Sequence, residues 1–75
     1  LVIPKKHITT ANDMVAEDRE TLGQMLLAGQ KVAALKGIDQ KGYRFVMNTG
    51  QDGGQSVYHI HLHVLGGRPL TWPPG

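Results

Sequence analysis

His59-Ile60-His61-Leu62-His63-Val64 alternates an imidazole with an aliphatic side chain three times in succession. Successive side chains of a β-strand point to opposite faces. A strand over residues 57–65 therefore sets Tyr58, Ile60, Leu62 and Val64 on one face and His59, His61 and His63 on the other. The aliphatic face belongs against a core. The imidazole face has to meet polar partners, solvent or a ligand.

The flanking sequence supplies what that strand packs against. Tyr43-Arg44-Phe45-Val46-Met47-Asn48 reads as a second strand, and Thr49 to Ser56 joins the two. That connection is too long for a tight hairpin turn and carries Gly50, Gly53 and Gly54, so it reads as a shaped loop. Upstream, a helix is expected from Ala16 to Lys36. Glu17, Asp18 and Glu20 suit its positive N-terminal end. Leu22, Met25, Leu26, Val32 and Ala33 mark an apolar stripe at helical spacing. Gly29 either weakens the helix by about 1 kcal/mol relative to Ala or lets another element come close, and Gly37 is a good stop. Leu1-Val2-Ile3 reads as a short buried strand ended by Pro4, which has no N–H for a ladder. With no turn or cap before it, it resembles the middle of a strand, as in the C-terminal portion of a longer domain. Residues 5–15 read as a connection, and residues 68–75, with three prolines and Trp72, as irregular chain.

This organisation is α+β: an antiparallel sheet with one long helix packed on it, in a single domain over residues 1–75. The length limits the core, and a domain this small is marginally stable without a staple. With no cysteine, no disulfide can help. An open strand edge invites pairing with a second copy, and Phe45–Met47 is the candidate edge. The formal charge of +2 is too weak to argue for nucleic acid, and Lys5-Lys6 reads as a solvated pair. No apolar run approaches the roughly 20 residues that span a membrane. The expectation is a cytoplasmic protein, which the absence of cysteine fits.

Three chemical readings of the histidine row compete. In the first, each imidazole is simply satisfied by hydrogen bonds. In the second, the row binds zinc. Histidines two apart lie roughly 6.6 Å from one another along a strand and can share an ion, whereas the outer two are roughly 13 Å apart. In the third, an imidazole attacks phosphorus and its neighbours orient it, hold phosphate oxygens or protonate a leaving group. The glycine loop favours the third, because such loops can turn backbone N–H groups toward an anion, and Ser56 adds a hydroxyl.

The residues also resemble a known family. His59-Ile60-His61-Leu62-His63-Val64-Leu65 is similar to the histidine triad (HIT) motif, His-φ-His-φ-His-φ-φ with φ apolar. Asp52 to Arg68, Trp72-Pro73-Pro74-Gly75, Leu1 to Ile8 and Gly42-Tyr43-Arg44 resemble the Hint branch of that family. The resemblance implies a homodimeric purine nucleoside phosphoramidase. Such an enzyme cleaves the P–N bond of purine nucleoside 5′-phosphoramidates through a covalent nucleotidyl-histidine and needs no metal cofactor. It implies His61 as nucleophile, His63 on the phosphate, His59 orienting its neighbour and Ser56 near the leaving group. It also implies Gly54 and Gln55 around the phosphate through their backbone, Asn48 at the phosphate and sugar, and His7 as a fourth histidine beside the row. The alternatives are a nucleotide-binding or scaffolding HIT protein with weak catalysis, and a zinc-binding module.

Overall fold

The computed structural model describes all 75 residues. Two 3-10 turns, Ala11–Asp13 and Ala16–Asp18, lead into helix α1, Arg19–Leu35. Strand β1, Tyr43–Val46, and strand β2, His63–Gly66, follow and pair antiparallel with Tyr43 opposite Gly66 and Val46 opposite His63. The core lies between the helix and the sheet and consists of Ile8, Met25, Ile60 and Leu62, with Val2, Met14, Leu22, Phe45 and Met47 packed around them. The α+β arrangement read from the sequence is present.

The helix stripe is correct with one exception. Met25, Gly29 and Ala33 are buried and Leu22 and Val32 half-buried. Leu26 is 51% exposed because it sits one position, about 100° of helix, off the buried line. Of the two readings of Gly29, the structure selects close approach. A Cβ there would lie 2.7 Å from Phe45 Cε1 and 3.2 Å from Leu62 Cδ2, whereas at Gly23 it would meet nothing within 4 Å. Both positions gain about 1 kcal/mol of helix propensity from alanine, but overpacking at Gly29 costs about 1–3 kcal/mol. Gly23→Ala should therefore raise the thermal midpoint and Gly29→Ala lower it. A higher midpoint for Gly29→Ala in a thermal melt would contradict this packing.

The helix begins later than expected. Ala16–Asp18 is a 3-10 turn because the Asp18 side chain turns inward instead of complementing the helix dipole. Asp18 is 2% exposed; its Oδ2 accepts the Val15 N–H at 3.0 Å and its Oδ1 pairs with Lys6 Nζ. Lys6 is thus not simply solvated. The Lys6 ammonium, with help from the Val15 N–H, holds the Asp18 carboxyl below its ordinary value of 3.8. The stabilisation this carries is complete above that value and disappears as pH falls through the lowered one. At the far end, Gly37 adopts a φ of 71° and stops the helix.

The strands are shorter than the sequence suggested. β1 ends at Val46, and of residues 57–65 only His63–Leu65 lie in the β1–β2 ladder, which continues to Gly66. Ile60 and Leu62 pair on the other edge with the start of the chain: Ile60 N–H to Ile8 C=O at 2.8 Å, and Val2 and Leu62 to each other in both directions at 2.9 and 2.8 Å. The segment between Val2 and Ile8 bulges away, since Pro4 has no N–H to offer. Leu1–Ile3 is therefore one bridge at Val2 and not a buried strand, with Leu1 70% and Ile3 56% exposed. Val57 to His59 form a bend, which leaves Tyr58 exposed instead of facing the core. The tail is tied back by Arg44, whose guanidinium donates to Thr71 C=O at 3.0 Å.

Candidate functional site

The alternation survives where it matters. Ile60 and Leu62 are 1% and 3% exposed, while His59, His61 and His63 are each half-buried on the opposite face. Burial of the aliphatic pair fixes the backbone, and the backbone aims the imidazoles.

The imidazoles form two contacting pairs. His61 and His63 meet edge to face with ring centroids 5.0 Å apart, and His7 and His59 do the same at 5.0 Å. His7 is thus brought to the row from a distant part of the sequence, and Thr9 Oγ1 lies 3.3 Å from its Nε2. Two ring hydrogen bonds set tautomers. His61 Nδ1 lies 2.9 Å from His59 C=O, and His59 Nε2 lies 3.0 Å from Pro4 C=O. A carbonyl only accepts, so both nitrogens carry the proton. The neutral His61 ring then presents Nε2 with its lone pair free. That is the form needed for attack on an electrophile. No three His, Asp or Glu side chains are grouped as ligands for one ion.

The glycine loop is held from within by Gln55. Its side chain is 6% exposed, accepts the Gly50 N–H at 2.9 Å and donates to Thr9 C=O at 2.8 Å and Val57 C=O at 3.1 Å. Its own N–H donates to Gly50 C=O at 2.9 Å, and the Gly54 N–H donates to Gln51 C=O at 3.0 Å. The two N–H groups expected around a phosphate, those of Gly54 and Gln55, are thus both bonded within the loop. The free donors begin one residue later: the N–H groups of Ser56, Val57, Tyr58 and His59 have no acceptor within the chain. Ser56 itself is exposed, and its hydroxyl bonds to no other side chain or backbone group.

Asn48 lies two residues beyond β1. It is half-buried and follows the end of the ladder, where Val46 stands opposite His63. Met47, just before it, packs on the core. A surface hollow lies elsewhere. It encloses about 640 Å³ at the other end of the hairpin and is lined by Gly37, Ile38, Lys41, Gly42, Gly67, Arg68 and Pro69.

Three contacts near the histidine row were not anticipated from the sequence. The Pro4 carbonyl, the Gln55 side chain and the Lys6–Asp18 pair all act across 12 or more residues or inside a loop. Only Pro4 carried a signal: a residue that interrupts a ladder leaves a carbonyl available.

Residues 1–70 match the HIT domain family. The chain belongs to that family. It is 53% identical over 70 residues to the purine nucleoside phosphoramidase of Escherichia coli K12, covering 93% of this chain and 59% of that protein. It is 52% identical over all 75 residues to an uncharacterized HIT-like protein of Synechococcus elongatus, covering 65% of it. Among solved structures, a HIT family hydrolase from Legionella pneumophila superposes with a TM-score of 0.95 at 55% identity, covering 97% of this chain and 65% of that one. A histidine triad protein from Clostridium difficile gives 0.86 at 38% identity, covering 92% of this chain and 60% of that one. The chain thus spans roughly three-fifths to two-thirds of the length of these HIT relatives. No helix is long and apolar enough to cross a membrane.

Proposed function

We propose that this HIT domain hydrolyses the P–N bond of purine nucleoside 5′-phosphoramidates through a covalent nucleotidyl-histidine on His61. The observation that carries the reading is the His61 Nδ1–H bond to the His59 carbonyl, which leaves Nε2 as a nucleophile. The similarity to a purine nucleoside phosphoramidase supports the substrate class. In the first step His61 Nε2 bonds to the α-phosphorus and the P–N bond breaks; the amine leaves with a proton from a neighbouring imidazole. In the second, water attacks phosphorus, releases the nucleoside monophosphate and restores His61.

In this reading His63, in edge contact with His61, holds the phosphate oxygens, and His59 and His7 support the nucleophile from the other side. Ser56 and the free N–H groups after it suit the phosphate and leaving group, with Asn48 at the phosphate and sugar. Gly54 shapes the loop, and Gln55 holds it without touching the anion. Imidazoles and N–H donors together stabilise charge on the phosphorane oxygens, and the chemistry calls for no metal. The test is conversion of adenosine 5′-phosphoramidate to the monophosphate, with and without chelator. Tight monophosphate binding without turnover would favour the scaffolding alternative. Stoichiometric zinc with chelator-sensitive activity would favour the metal module.

The assembly belonging to this reading is a homodimer in the cytoplasm. β1 pairs only with β2, so its other edge is open, and Phe45–Met47 is where a second copy adds its strand. Sedimentation should give twice the chain mass, and a monomer across the micromolar range would contradict it.

A further inference from the structure

The Lys6–Asp18 pair has no part in the reaction sequence above, yet Asp18 is the most deeply buried charge in the molecule. Asp18 is 2% exposed, and both of its oxygens are used, one by Lys6 and one by the Val15 N–H. Only the Asp18 half of the pair is buried, since the Lys6 side chain is 55% exposed, and ion pairs with an exposed partner contribute little stability. The position of the pair suggests another role. Lys6 lies in the bulge between the two places where the start of the chain bonds to the histidine strand, Val2 with Leu62 and Ile8 with Ile60. Within that bulge no backbone ladder holds the chain. Two residues before Lys6, the Pro4 carbonyl takes the His59 ring proton. One residue after it, the His7 ring rests against the His59 ring. Both groups that orient the His59 side chain are thus neighbours of the one bulge residue anchored to the helix.

We propose that Asp18, acting through Lys6, is a positioning residue for His59, and that the pair sets the ring and tautomer of His59 and so supports the nucleophile beside it. The inference rests on the phosphoramidase reading for its kinetic consequence but not for its structural one. The His59 carbonyl is the acceptor for His61 Nδ1, so a shift of residue 59 is passed to the attacking ring through a single hydrogen bond.

Asp18→Asn keeps an acceptor for the Val15 N–H and removes the charge that holds Lys6. Lys6→Gln acts from the other side, at a side chain that is 55% exposed and whose replacement amide is still a donor for Asp18, and circular dichroism confirms which of the two variants is folded. Lys5→Gln is the control, an exposed neighbour with no side-chain partner. Nitrogen-15 spectra of the histidine rings should show a slowly exchanging His59 Nε2–H in the wild type and Lys5→Gln. In Asp18→Asn and Lys6→Gln that proton should exchange faster, with the nitrogen shifts moving toward a mixture of tautomers. With adenosine 5′-phosphoramidate, kcat should fall about tenfold in both variants while KM stays within about twofold. A folded Asp18→Asn or Lys6→Gln protein with wild-type ring spectra and wild-type kcat would overturn the proposal. If the wild type shows no turnover at all, the phosphoramidase reading fails and the ring spectra still decide the role of the pair.

Discussion

His61→Ala should reduce turnover of adenosine 5′-phosphoramidate by at least about a thousandfold while leaving the protein folded. Deleting the attacking atom removes the covalent route, and losses of this size or larger follow when a nucleophile is deleted. The fold should tolerate the change, because the His61 ring is half-buried on the polar face and its one hydrogen bond is to the carbonyl of residue 59. The liberated carbonyl can turn to water. Far-ultraviolet circular dichroism and the thermal midpoint should therefore match the wild type. A folded variant retaining a tenth or more of the activity would remove His61 from the role given to it.

Ile60→Ala, one position earlier, should do the reverse and destroy the fold before it touches the chemistry. Ile60 is 1% exposed and is the largest fully buried apolar side chain of the core. Truncating such a side chain costs about 2–5 kcal/mol through lost transfer energy and the cavity left behind. A domain of this length has a total of about 4–11 kcal/mol at the usual stability per residue, so the loss takes a large share of it. Val57→Ala, at a side chain 59% exposed, should change stability by no more than about 0.5 kcal/mol. Urea denaturation of the two variants separates them. A midpoint for Ile60→Ala close to that of the wild type would mean that the aliphatic face of the row is not what holds it.

These opposite outcomes at adjacent residues restate the period-two alternation, and that alternation is why the site was legible. Side chains set by backbone period can be read from the sequence: Ile60 and Leu62 inward, His59, His61 and His63 outward, and the helix stripe through Met25 and Ala33. What depends on which distant segment arrives could not be read in this way. The strand expected over residues 57–65 is shorter because Val57 to His59 bend and the ladder with β1 starts only at His63, while Ile60 and Leu62 bond on the other edge to Ile8 and Val2. Leu26 was placed one step wrong because periodicity tolerates a neighbour that packing rejects. Asp18 looked like an ordinary helix-start carboxylate, and only its partner 12 residues away makes it a buried one. The glycine loop is shaped, as its composition suggests, but its shape comes from the Gln55 side chain, which turns inward and leaves the free N–H groups at Ser56 and the residues after it.

The site and the mechanism meet in one atom, the free Nε2 of His61. The most direct test is to mix the protein with adenosine 5′-phosphoramidate, quench in denaturant within a turnover and map the modified peptide by mass spectrometry. The account predicts an adenylyl group on His61 in the wild type and its absence in His61→Ala. An adduct on His59, His63 or any other residue, or steady turnover with no adduct trapped at the earliest times, would contradict it.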